Sequence, residues 1–65
     1  MQHTTAYYRS EALAEAKVLN WFRAALMMEE AIKVYPASTG ELAKDDIARM
    51  RQKIAAWRAM LADAA

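Results

Sequence analysis

The chain has 65 residues, a formal net charge of +1, 57% hydrophobic and 26% charged residues, one Gly, one Pro and no Cys. That length leaves room for one small domain and excludes a second, and the composition is that of a folded helical chain and not a disordered one. Without cysteine, neither a disulfide framework nor a thiolate metal site can support the small core, and the near-neutral charge argues against a general polyanion binder.

No apolar stretch approaches the roughly 20 residues of a membrane span, so no membrane partner is expected. "MQHTTAYYRSEALAEAK" lacks the apolar centre of a signal peptide, which makes an intracellular site of synthesis the expectation. The first helix is predicted over about residues 10–34, with Ser10 as N-cap and Glu11 in its first turn, leaving residues 1–9 as a frayed N-terminus. An earlier start at Thr4 or Thr5 is the alternative. Ala14, Val18, Trp21, Ala25, Met28, Ile32 and Tyr35 form one stripe at steps of three and four.

"VYPASTGEL", residues 34–42, then ends that helix, because proline cannot continue a helix interior and pushes Tyr35 toward an extended conformation. The second helix is predicted over about residues 42–63, with Ala43, Ile47, Met50, Ile54, Trp57, Leu61 and Ala64 as its stripe. A short turn makes sequential helices antiparallel, so Met28 and Ile32 are expected near Ile47 and Met50, and Trp21 near Ile54 and Trp57. The predicted fold is therefore all-α: a single domain, residues 1–65, built as an antiparallel two-helix hairpin. Met and Trp at such spacing fill cores and do not mark cofactor sites.

A hairpin leaves apolar surface over. Leu19, Phe22 and Leu26 lie about a third of a turn from the first stripe, and Ala48, Ala55, Ala59 and Ala62 form a small-residue ridge on the second helix. Burying a Leu or Phe contributes about 1.5 to 3 kcal/mol, whereas ordering a residue costs about 1 to 2 kcal/mol. A lone hairpin with these side chains exposed is thus marginal, and completion by oligomerisation or docking is expected. These seven residues are the predicted interaction face.

Chemistry is easier to exclude. His3 is the one histidine, with no second imidazole or thiol to complete a zinc site, and no nucleophile and base pair stands out. Glu11 and Glu15 read as a solvated helix face with macrodipole benefit. A di-iron site would need Glu-x-x-His pairs, and one glycine cannot build a phosphate-cradling loop. No catalytic, cofactor or metal residues are predicted, and the chain is read as non-enzymatic. Arg49, Arg51, Lys53 and Arg58 make the second helix basic but scatter around it, so nucleic acid is a weak candidate partner.

Trp21, Tyr35, Leu42, Asp46, Ile47, Arg51, Ile54 and Trp57 form a pattern of a Tyr before the turn followed by "L-x-x-x-D-I-x-x-x-R-x-x-I-x-x-W". Over about residues 13–61 this resembles a family of small proteins encoded in head-morphogenesis clusters of tailed bacteriophages and prophages. In size and layout that family is similar to the head-completion protein W group, which joins head vertex to tail. The resemblance implies a virion structural or assembly role as a head-tail connector component, present in the virion and in the host cytoplasm during assembly. Its implied partners are the portal or other connector proteins and further copies of the chain. It also implies a β-hairpin tip at the turn, of which Pro36 leaves at most a vestigial ribbon pairing Val34 and Tyr35 with Glu41 and Leu42. The competing class is a regulatory adaptor, a helical-hairpin homodimer that binds RNA or a host protein.

Overall fold

The structure, a computed structural model, describes the backbone of residues 3–36 and 40–64 and the side chains of residues 3–36 and 43–63. Among the described residues the chain is all helical, with three helices in place of the expected two: α1 (Thr5–Lys17), α2 (Trp21–Lys33) and α3 (Gly40–Ala64). The predicted first helix is split in two. The predicted second helix is present with nearly its expected limits.

Helix α1 begins at Thr5, so the expected frayed segment is helical from there, and Ser10 lies inside the helix. The cap is Thr4, whose hydroxyl accepts from the Tyr7 amide at 3.1 Å. His3 is held as well, its ring stacked on Tyr7 at a centroid distance of 3.9 Å.

The break between α1 and α2 has a definite mechanism. The Leu19 amide donates to the Ala16 carbonyl at 3.0 Å and the Asn20 amide to the Glu15 carbonyl at 2.9 Å, the two bonds of a Schellman C-cap. That motif needs a left-handed residue after the cap, and Leu19 takes it with φ 63°. Glycine is the usual occupant, because a side chain costs about 1–2 kcal/mol in that region. Asn20 closes the old helix and opens the new one: its Oδ1 accepts from the Arg23 amide at 3.4 Å, while its Nδ2 donates to Glu15 Oε2 at 2.7 Å. Between Lys17 and Trp21 the chain thus reverses within three residues.

The reversal gives α2 two packed faces. On one, α1 runs antiparallel to it, with the Thr5 hydroxyl donating to the Ala31 carbonyl at 2.9 Å. From that anchor, equal rise along both helices brings Ala12 level with Ala24. Ala12, Ala24 and Ala31 are completely buried, and their small side chains let the two backbones approach closely. On the other face, α2 packs antiparallel to α3 through Ala25, Met28, Met50, Ile54 and Trp57, with Ile32 and Tyr35 at the margin. Met28 and Met50, each 1% exposed, are the largest fully buried side chains.

The α3 stripe matches expectation at Ala43, Met50, Ile54 and Trp57, which are buried, and at Ile47 and Leu61, which are half-buried; the Ala64 side chain lies outside the described residues. The first stripe holds from Trp21 onward, but Ala14 and Val18 are exposed. Both precede the reversal, so the stripe that would have continued through them belongs to a different helix direction. Ile54 and Ala55 line one groove with Ile32, and Arg58 is ion-paired with Glu29. The Glu29–Arg58 pair lies outside the expected pairing, while Met28 and Met50 share the core as expected.

No ribbon joins Val34 and Tyr35 to Glu41 and Leu42, because the latter pair lies in the first turn of α3. Val34 and Tyr35 donate their amides back to Glu30 and Ile32 at the end of α2. Residues 37–39 of the expected turn fall outside the described residues.

Ile54→Asp places a carboxylate in the core without a partner and is expected to abolish the cooperative melt seen by circular dichroism. Retained helicity with an unchanged melting curve would remove Ile54 from the core. Leu19→Gly relieves the left-handed conformation and is expected to stabilise the fold by about 1 kcal/mol, raising Tm by several degrees, whereas Leu19→Val should lower it.

Candidate protein-docking face

Of the predicted interaction face, Ala55 lies in a groove between α2 and α3. On α2, Phe22, Leu26, Glu29 and Lys33 follow steps of four, three and four, and so share a stripe roughly opposite α1. On α3, Ala48, Arg51, Ala55, Arg58 and Ala62 do the same. The groove is open, about 460 Å³ in volume, and lined by Glu29, Ile32 and Lys33 on one wall and Arg51, Ile54, Ala55 and Arg58 on the other.

Each residue of the predicted face is exposed. Phe22 is 60% and Leu26 40% exposed on α2, and Ala48, Ala55, Ala59 and Ala62 are exposed on α3, with Ala55 in the groove itself. Leu19, 69% exposed, is not on α2 but on the corner beside Val18. The total accessible surface is 4762 Å², compared with about 4,200 Å² for a compact chain of 7.3 kDa.

Electrostatics divide the face from the opposite side of α3. In the groove, Glu29 is paired with Arg58, and Lys33 bonds Glu30 at 3.1 Å. Ion pairs among the described residues hold Arg9, Arg23, Lys33 and Arg58, and Arg51 is in none of these. Away from the groove, Asp46 receives the Tyr35 hydroxyl at 2.6 Å and the Arg9 guanidinium at 3.0 Å, tying α3 to α1 and to the segment just after α2. The Tyr35 hydrogen bond, with help from the Arg9 and Arg49 charges, holds the Asp46 carboxyl below the usual carboxylate range against the opposing effect of burial. The same bond pushes the Tyr35 phenol up, assisted by burial and by the Asp46 charge.

The residues that carry the phage-family resemblance divide by role. Tyr35 and Asp46 are bonded to one another, Ile54 and Trp57 are core, Trp21 and Ile47 are half-buried, and Arg51 stands on the groove rim. The Leu42 side chain lies outside the described residues. Sequence reasoning missed Arg9, which fell in the segment expected to fray, and missed the Glu29–Arg58 pair, which the expected register keeps apart. The signal for Arg9 was Thr4, a sound N-cap ahead of it.

Among the described residues no three His, Asp or Glu side chains converge as a metal site, and no helix is long and apolar enough to cross a membrane. Comparison with models of known protein families, with curated proteins and with solved structures finds no match.

The Tyr35–Asp46 pair sets a pH dependence at both ends. As pH falls below about 4, the unfolded chain protonates Asp46 before the folded chain does, so the stability tied to this carboxylate is lost on acidification. As pH rises through about 10, the unfolded chain ionises Tyr35 first, and stability is lost again. Thermal melts from pH 3 to pH 10.5 should therefore show a plateau with two falling limbs. In Asp46→Asn the plateau should drop and the acid limb flatten; an acid limb as steep as in the parent chain would exclude Asp46 as its source.

Proposed function

We propose that this chain is a non-enzymatic assembly protein, a head-tail connector component that docks on the portal vertex of a tailed phage. The observation that carries the reading is the uncovered apolar surface, Phe22 and Leu26 on α2 and the exposed alanines of α3. Patches of this kind mark contact surfaces in small proteins whose own core is thin. The resemblance of Tyr35, Asp46, Arg51, Ile54 and Trp57 to the head-completion pattern supports the same role. Docking onto a larger partner would supply the burial that two fully buried methionines and a set of alanines do not.

Phe22→Gln with Leu26→Lys tests it, because both positions are exposed and both new residues are good helix formers. Helicity should persist, the protein should remain soluble in the lysate, and it should be missing from purified particles. Particles that contain the double variant at parental amount would exclude this stripe as the docking face. A free chain that forms a tight dimer with no affinity for portal protein would favour the adaptor class instead.

A further inference from the structure

We infer that the groove between α2 and α3 receives one acidic amphipathic helix from a protein partner. This rests on the docking reading above and adds the chemistry of the partner. The rim carries three cations, Lys33, Arg51 and Arg58, against one carboxylate, Glu29. Glu29 is taken up by Arg58 and Lys33 is bonded to Glu30, so among the described residues Arg51 is the groove cation without an ion pair, beside an apolar lining of Ile32, Ile54 and Ala55.

The charge decides among occupants. A second copy laid groove to groove would bring Arg51 no free carboxylate, because the one that lines the groove, Glu29, is already held by Arg58. Nucleic acid would use the cations but leave the apolar lining wet, since phosphate contacts need no apolar bed. An acidic helix uses both parts. Its apolar stripe at i, i+3, i+4 and i+7 sits on the apolar lining while a flanking carboxylate reaches Arg51. Ala55 on the α3 wall offers little obstruction to a third backbone, and two antiparallel helices present a channel along their axes in which a helix packs by ridges and grooves. An extended peptide would find no unpaired backbone edge on these helices to add to.

The test uses the full chain and a labelled synthetic helix with a leucine stripe flanked by glutamates, read by fluorescence anisotropy. Compared with it are the same peptide with lysines for glutamates, an oligoglutamate of equal charge, and a single-stranded oligonucleotide. The glutamate helix should bind roughly tenfold more tightly than any of these, and Arg51→Glu should reverse the preference between the two helices. Arg51 is exposed, so circular dichroism should show the variant folded; Lys33→Glu, also at an exposed position, supplies a second reading. Equal affinity for both helices, oligoglutamate or oligonucleotide binding as tight as the glutamate helix, or indifference to Arg51→Glu would overturn the inference. If the glutamate helix fails to bind while the Phe22 and Leu26 double variant is still excluded from particles, the groove assignment falls and the docking reading stands. If the helix binds and the double variant assembles normally, the reverse holds.

Discussion

Everything in this fold depends on the chain reversing at Leu19 and Asn20. A continuous helix from Ser10 to Val34 could present only one face to α3, and its other apolar side would stay in water. The reversal converts that long helix into two, each 13 residues long, and lets α1 cover the second face of α2. Helices so short are marginal alone in water, so their persistence rests on packing against one another and on good ends. Both ends at the corner are well made, one by the paired amides of Leu19 and Asn20 and the other by the Asn20 side chain. The left-handed Leu19 works against this, and the backbone bonds formed around it offset the strain.

With α1 folded back, Asp46 acquires its second role. Its carboxylate receives Tyr35 from just after α2 and Arg9 from α1, fixing where α3 begins relative to the helix pair. The other polar tie, Glu29 with Arg58, lies on the groove side of α2. Polar contacts flanking a narrow apolar seam discriminate between registers that the seam alone, largely alanine and methionine, would tolerate. Beside the Glu29–Arg58 pair, Ile32 on α2 and Ile54 and Ala55 on α3 line the groove.

The parts of this arrangement that could be read from sequence are those with a strong period and large side chains. Met50, Ile54 and Trp57 were legible because α3 is uninterrupted and buries one stripe. Phe22 and Leu26 were legible as surplus for the same reason. The α1 packing was not, since its seam is Ala12 against Ala24 and Ala31, and alanine is as common on exposed helix surfaces as on buried ones. The corner was missed because Leu stands where Gly usually signals a helix end, leaving Asn20 as the sole local mark. Side-chain pairs such as Glu29 with Arg58 declare themselves only once the helices are placed. The ridges of the docking face were visible individually, but not the groove that Ala55 enters.

The two largest fully buried side chains both carry a thioether, which ties the chemical lifetime of the protein to its breathing. Peroxide must reach Met28 or Met50 through an opening of the core, and a sulfoxide formed there is polar and bulkier, so the core cannot close over it unchanged. Met60, exposed on α3, oxidises without any such opening and serves as a built-in reference. The ratio of the two rates is then a clock for opening, and each tick is irreversible until a reductase intervenes. A partner that covers the groove and slows the separation of α2 from α3 would lengthen that clock without touching either sulfur.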